Sequence, residues 1–243
     1  MRALILAAAL AAGLQFAAAH EFDRVTLPSG SVIDYVLVLP EGYDPARSYE
    51  MLLAFPGGDQ SLSRAISTVE RFWEPEAPRR GVIVVAPAAP STGRPFFMGE
   101  GSIRQVGDLV AALRTRYAVA DGKIHLAGHS NGGISAFRAA IRFPELFESM
   151  TVIAGVPSEW QDFDRLARLQ GIRINLFVGA NDRDWRSAMV VTQERLTELG
   201  IASSFTVVPR SGHLLEEMAF DKSGPVFDTV VAAPATEAAT NSR

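Results

Sequence analysis

Six short runs rich in apolar residues divide the chain, at 51–55, 82–86, 124–127, 150–154, 174–178 and 203–208. They end in small or turn-forming residues, and none is long enough for an ordinary helix. Runs that are apolar on both faces suit the strands of a buried parallel sheet. Segments with helical periodicity lie between them, at 61–72, 103–116, 131–142 and 185–199. In the second, Val106, Leu109, Val110 and Leu113 have core spacing; the third carries Ile134, Phe137 and Ile141, and the fourth Met189, Val190, Leu196 and Leu199. This alternation predicts an α/β fold: a mostly parallel twisted sheet with right-handed crossovers and helices on both faces. Upstream, residues 24–27 and 31–39 flank Pro28-Ser29-Gly30 and read as an antiparallel pair. No internal repeat or linker interrupts the pattern, so residues 20–231 read as one domain.

Composition removes several alternatives. Of 243 residues, 48% are hydrophobic and 21% charged, the balance of a globular chain. Cysteine is absent, which excludes a disulfide scaffold, a thiolate nucleophile and any cysteine-ligated metal. The net charge of −4 argues against nucleic acid as a partner. At the N-terminus, Met1-Arg2, an apolar stretch over 3–12 and Ala17-Ala18-Ala19 have the order of a signal peptide cleaved after Ala19. The run from Ala3 to Ala19 is short and broken by Gly13 and Gln15, so no stable membrane anchor is expected. The expectation is a secreted or periplasmic protein beginning at His20, with a flexible polar tail over 232–243. Oligomeric state is not legible.

The chemistry centres on Gly128-His129-Ser130-Asn131-Gly132, a G-x-S-x-G motif placed where a strand ends and a helix begins. A serine on that tight turn is exposed at the carboxyl edge of the sheet. Flanking glycines are needed because a Cβ there would crowd the strand or the helix. A serine hydroxyl needs a base, and the chain has four histidines. His20 is the expected mature N-terminus, His125 lies inside a strand, and His129 adjoins Ser130 and would point elsewhere. His213 remains, in a loop after the last strand, with Gly212 allowing the bend. The imidazole needs an acid. Asp182, after Gly179-Ala180-Asn181, ends a strand between the two; Asp184 stays open as a rival, with a helix N-cap before Trp185 as its structural explanation, and Glu159 is third. The pair Gly57-Gly58 ends the first parallel strand. The amides of Gly58 and Asn131 are the candidate oxyanion donors.

These motifs resemble the α/β-hydrolase superfamily. Together with Leu39-Pro40-Glu41-Gly42-Tyr43 ahead of Pro56-Gly57-Gly58, they are similar to its secreted esterase group of polyhydroxybutyrate depolymerases and feruloyl or acetylxylan esterases. Pro56 is a departure, because such esterases usually carry His there. The resemblance implies an α/β-hydrolase fold and ester hydrolysis through an acyl-enzyme, with no metal or organic cofactor. A serine peptidase or acyltransferase would use the same triad, and a non-catalytic binding module could keep the fold. Only about twenty residues, 155–174, stand where lipid-binding relatives insert a cap, and they are expected to hold one helix over 162–169. That points to an open site for a bulky, aryl or polymer-attached ester. Phe96, Phe97, Trp160 and Trp185 are candidate pocket residues, with loop anchoring as the alternative. No phosphate-binding loop, dinucleotide fingerprint or H-E-x-x-H motif is present.

Overall fold

The computed structural model describes residues 20–231, apart from residues 91–96, 98, 121, 158 and 159. The expected signal peptide, the expected tail, Phe96 and Glu159 lie outside the described residues.

Eight strands form a single sheet: β1 (His20–Thr26), β2 (Val32–Val38), β3 (Glu50–Phe55), β4 (Val82–Pro87), β5 (Ile124–His129), β6 (Phe147–Ile153), β7 (Arg173–Gly179) and β8 (Ser203–Val208). Their spatial order is β1-β2-β4-β3-β5-β6-β7-β8. The β1–β2 and β2–β4 pairs are antiparallel, and every pairing from β4 through β3 to β8 is parallel. From the central β3–β5 pair the chain winds one way to β4 and the other way to β8. Such a reversal opens a crevice at the carboxyl ends of the strands on either side of it.

The helices are α1 (Leu62–Thr68), α2 (Ala77–Arg80), α3 (Glu100–Ile103), α4 (Gln105–Arg116), α5 (Asn131–Arg142), α6 (Trp160–Asp164), α7 (Arg183–Glu198) and α8 (Gly224–Phe227). Strand alternation divides the core into two layers. Met51, Leu53 and Phe55 face α4, α5 and α7, while Leu52 and Ala54 face α1, α2 and α8. Burial of both faces explains the apolar runs of β3 to β7, whereas β8, expected to be buried likewise, is an edge strand only partly buried, with Ser204 and Val207 exposed.

Two expected helices change form. The 61–72 segment is α1 followed by a π-helical turn, Val69–Trp73. The wider turn lets the consecutive side chains Phe72 and Trp73 both be fully buried. The expected 162–169 helix is instead α6 and a separate 3₁₀ turn, Leu166–Leu169. A buried ion pair holds this short crossing: Asp162 Oδ2 accepts from Arg138 Nε at 3.0 Å and Nη2 at 2.8 Å. Only residues 154–172 separate β6 from β7, so no large cap covers the sheet edge there.

Candidate active site

Ser130 follows β5 directly and precedes α5, with φ 56° and ψ −122°. That backbone is rare for a residue with a Cβ and costs about 1–3 kcal/mol. Its surroundings impose it: the Ser130 N–H donates to the Ile153 carbonyl at 2.9 Å, and the Ser130 carbonyl accepts from Gly133 N–H at 2.8 Å. A Cβ on Gly128 would collide with the Gly132 carbonyl oxygen, and one on Gly132 with the Phe55 carbonyl oxygen. The motif's glycines therefore let β3, β5 and α5 touch backbone to backbone, with the serine at the apex.

The loop after β8 brings His213 over this apex. Its Nε2 lies 2.9 Å from Ser130 Oγ, and its Nδ1 lies 2.7 Å from Asp182 Oδ2. An ionised carboxylate only accepts hydrogen bonds, so Nδ1 carries the ring proton and Nε2 is free to accept from the serine hydroxyl. Asp182 stands at the N-cap position of α7, yet its side chain makes no capping bond; its carboxylate is committed to His213. Asp184 is not the cap: α7 starts at Arg183, two residues earlier than expected, which puts Asp184 in its first turn, exposed.

His129 does not point away from the site. It is buried, and its ring centroid lies 5.2 Å from that of His213. Its Nε2 is 3.0 Å from the His213 carbonyl oxygen. A carbonyl can only accept, so Nε2 carries the proton. Burial, the main cause, lowers the pKa of His129 to about 4. The ring is therefore neutral near pH 7 and does not repel a protonated His213.

The loop after β3 passes beside the serine, since a Cβ on Gly57 would stand 3.4 Å from Ser130 Cβ. Asn131 Nδ2 donates to the Gly58 carbonyl at 2.8 Å, tying this loop to α5. Among the described residues the Gly58 N–H has no backbone acceptor. Asn131 is the first residue of α5, so its N–H has no intrahelical acceptor. Gln60, which the sequence reading passed over, is fully buried beneath this loop. Its Nε2 donates to Ser135 Oγ at 2.8 Å, and its Oε1 accepts from Phe97 N–H at 2.9 Å.

The four candidate pocket residues have different fates. Phe97 does not line the site: it is fully buried against Phe55, with ring centroids 5.0 Å apart, and anchors its loop. Trp160, at the start of α6, is 74% exposed and lies away from the cleft beside Ser130. Trp185 packs 5.6 Å from the His213 ring. Phe96 is outside the described residues. The cleft itself, about 330 Å³, is walled by Arg64, Thr68, Arg71, Phe72 and Leu214 alongside His129, Ser130 and His213. The sequence signal for this wall was the helical spacing of 64, 68, 71 and 72 just after the Gly57-Gly58 loop.

This combination defines an α/β-hydrolase fold. Residues 106–209 match a family model, Esterase, described as "Putative esterase". A solved thermostable esterase superposes with a TM-score of 0.65 at 21% identity, over 79% of this chain and 55% of that one. A feruloyl esterase module from Clostridium thermocellum complexed with sinapinate superposes with a TM-score of 0.66 at 13% identity, over 88% and 89%. The dipeptidyl peptidase 4 of Porphyromonas gingivalis superposes with a TM-score of 0.65 at 19% identity, and the chain spans 32% of its length. At these identities the likeness is one of fold. No curated protein matches the sequence.

Proposed function

We propose that this chain is a serine esterase, a carboxylic ester hydrolase working through an acyl-enzyme. The observation that carries the reading is His213 within hydrogen-bonding distance of both Ser130 Oγ and Asp182 Oδ2; the Esterase match over 106–209 supports it. His213 Nε2 takes the hydroxyl proton as Ser130 Oγ bonds to the ester carbonyl carbon. The carbonyl oxygen becomes an oxyanion held by the Gly58 and Asn131 amides. Collapse breaks the bond to the alkoxy oxygen, and His213 returns the proton to the departing alcohol. Water then attacks the acyl-enzyme with the same proton relay, releasing the acid and restoring Ser130.

The substrate reading is a small or polymer-attached ester with an aryl or bulky portion, because the crossing from β6 to β7, residues 154–172, is too short to hold a large cap. Export after cleavage at Ala19 belongs to the same reading, and a mature protein beginning at His20 is its readout by N-terminal sequencing. A fluorophosphonate probe should label the wild type and not Ser130→Ala, with p-nitrophenyl acetate hydrolysed and the matching p-nitroanilide left intact. An unlabelled wild type overturns the reading, and anilide cleavage replaces it with a peptidase.

A further inference from the structure

The wall of the cleft facing Ser130 is cationic. Resting on the esterase reading above, we propose that the cleft selects esters carrying a carboxylate, with Arg64 and Arg71 as the specificity-determining residues. Both line the same cleft as Ser130 and His213, and none of the described residues lining it is acidic. They lie seven residues apart on α1 and its π-helical turn, with Thr68 and Phe72 on the same face. That spacing puts their Cα atoms about 10 Å apart along the helix axis, and both long side chains line the one cleft, where a single carboxylate-bearing ester would meet them.

Among the described residues neither charge is well neutralised. Arg71 has no ion-pair partner among the described residues; its guanidinium is steadied over the Phe220 ring, 4.7 Å from the centroid. Arg64 Nε is 3.9 Å from Asp59 Oδ1, with both side chains more than 60% exposed. That Asp59 oxygen already accepts from the Ser61 hydroxyl at 2.7 Å and the Ser61 amide at 3.1 Å. Such a pair offsets little of the guanidinium's field. A chain of net charge −4 thus turns two under-compensated cations toward its reactive serine. A planar guanidinium matches a carboxylate in a way that a neutral acyl or alkyl group cannot use.

The test compares kcat/KM within two matched pairs. Mono-4-nitrophenyl succinate against 4-nitrophenyl butyrate puts the carboxylate on the acyl side. 4-Acetoxybenzoate against its methyl ester puts it on the alcohol side. In at least one pair the wild type should favour the anionic member by about tenfold at low salt, and the pair that responds identifies the side. The preference should shrink as salt rises to about 0.5 M. In the Arg64→Gln/Arg71→Gln double variant the anionic-to-neutral ratio should drop about tenfold, and Arg71→Lys should keep more of it than Arg71→Gln. Equal handling of both members by the wild type, or an unchanged ratio in the double variant, overturns the proposal. Hydrolysis of neutral esters with fluorophosphonate labelling intact would then leave the esterase reading standing, whereas loss of all hydrolysis and labelling would remove both.

Discussion

The Nε2 of His129 donates a 3.0 Å hydrogen bond to the backbone carbonyl oxygen of His213. The residue before the serine thus holds the loop whose imidazole meets that serine. His129→Phe keeps the bulk of the ring but removes the donor. Its kcat on a neutral p-nitrophenyl ester should fall about tenfold, the scale of one lost hydrogen bond, with KM little changed. His129→Gln, which retains a donor, should recover part of the loss in steady-state kinetics.

His129 also makes the protein acid-sensitive. Its pKa is lowered from 6.5 to about 4, chiefly by burial. Below the upper value the unfolded chain takes up a proton that the folded chain refuses. The stabilisation is therefore complete above the upper value and declines as pH falls toward the lower, at up to about 1.4 kcal/mol per pH unit. Burial lowers the pKa of His125 as well, which acts in the same sense. Urea midpoints measured across this range should decline with acid in the wild type and less steeply in His129→Phe. Parallel slopes would show that other groups carry the effect.

The two neighbouring aspartates should separate cleanly. Asp182→Asn puts an amide where the imidazole proton is held, favouring the wrong tautomer. A loss of kcat approaching about 10⁴-fold is expected. Asp184→Asn alters only an exposed position in the first turn of α7 and should stay within about twofold. Activity lost on changing Asp184 and kept on changing Asp182 would reverse the assignment.

Gln60 should matter to both stability and rate. Gln60→Leu leaves the buried Phe97 N–H without its acceptor and Ser135 Oγ without its donor. A stability loss of about 2–3 kcal/mol follows from one unsatisfied buried amide and a disturbed loop. Because Gln60 sits two residues beyond Gly58, kcat should drop more than the stability loss explains. Chemical denaturation and kinetics on the same preparation measure the two effects separately.

Much of this molecule could be read along the chain. The five runs from 51–55 to 174–178 became interior parallel strands because burial on both sheet faces leaves no alternation to hide them, while the run at 203–208 became a half-exposed edge strand. The elbow at Ser130 was legible because its glycines and its strand-to-helix position are local properties. Histidine scarcity left His213 as the candidate base by elimination. The remainder depended on distances between segments far apart in sequence. Asp182 and Asp184 are chemically identical, and only the start of α7 decides which carboxylate meets His213. The inward turn of His129 depends on where the loop after β8 lies. Gln60 and Ser135 are ordinary polar residues until β3 and α5 bring them together. Phe97 looked as suitable for a pocket as Phe96, until packing against Phe55 made it core. The two arginines carry helical spacing in the sequence, but spacing names a face without saying what that face confronts. Local periodicity and backbone sterics write the elements into the chain, whereas the relative placement of those elements, set by packing, decides which side chains share a site.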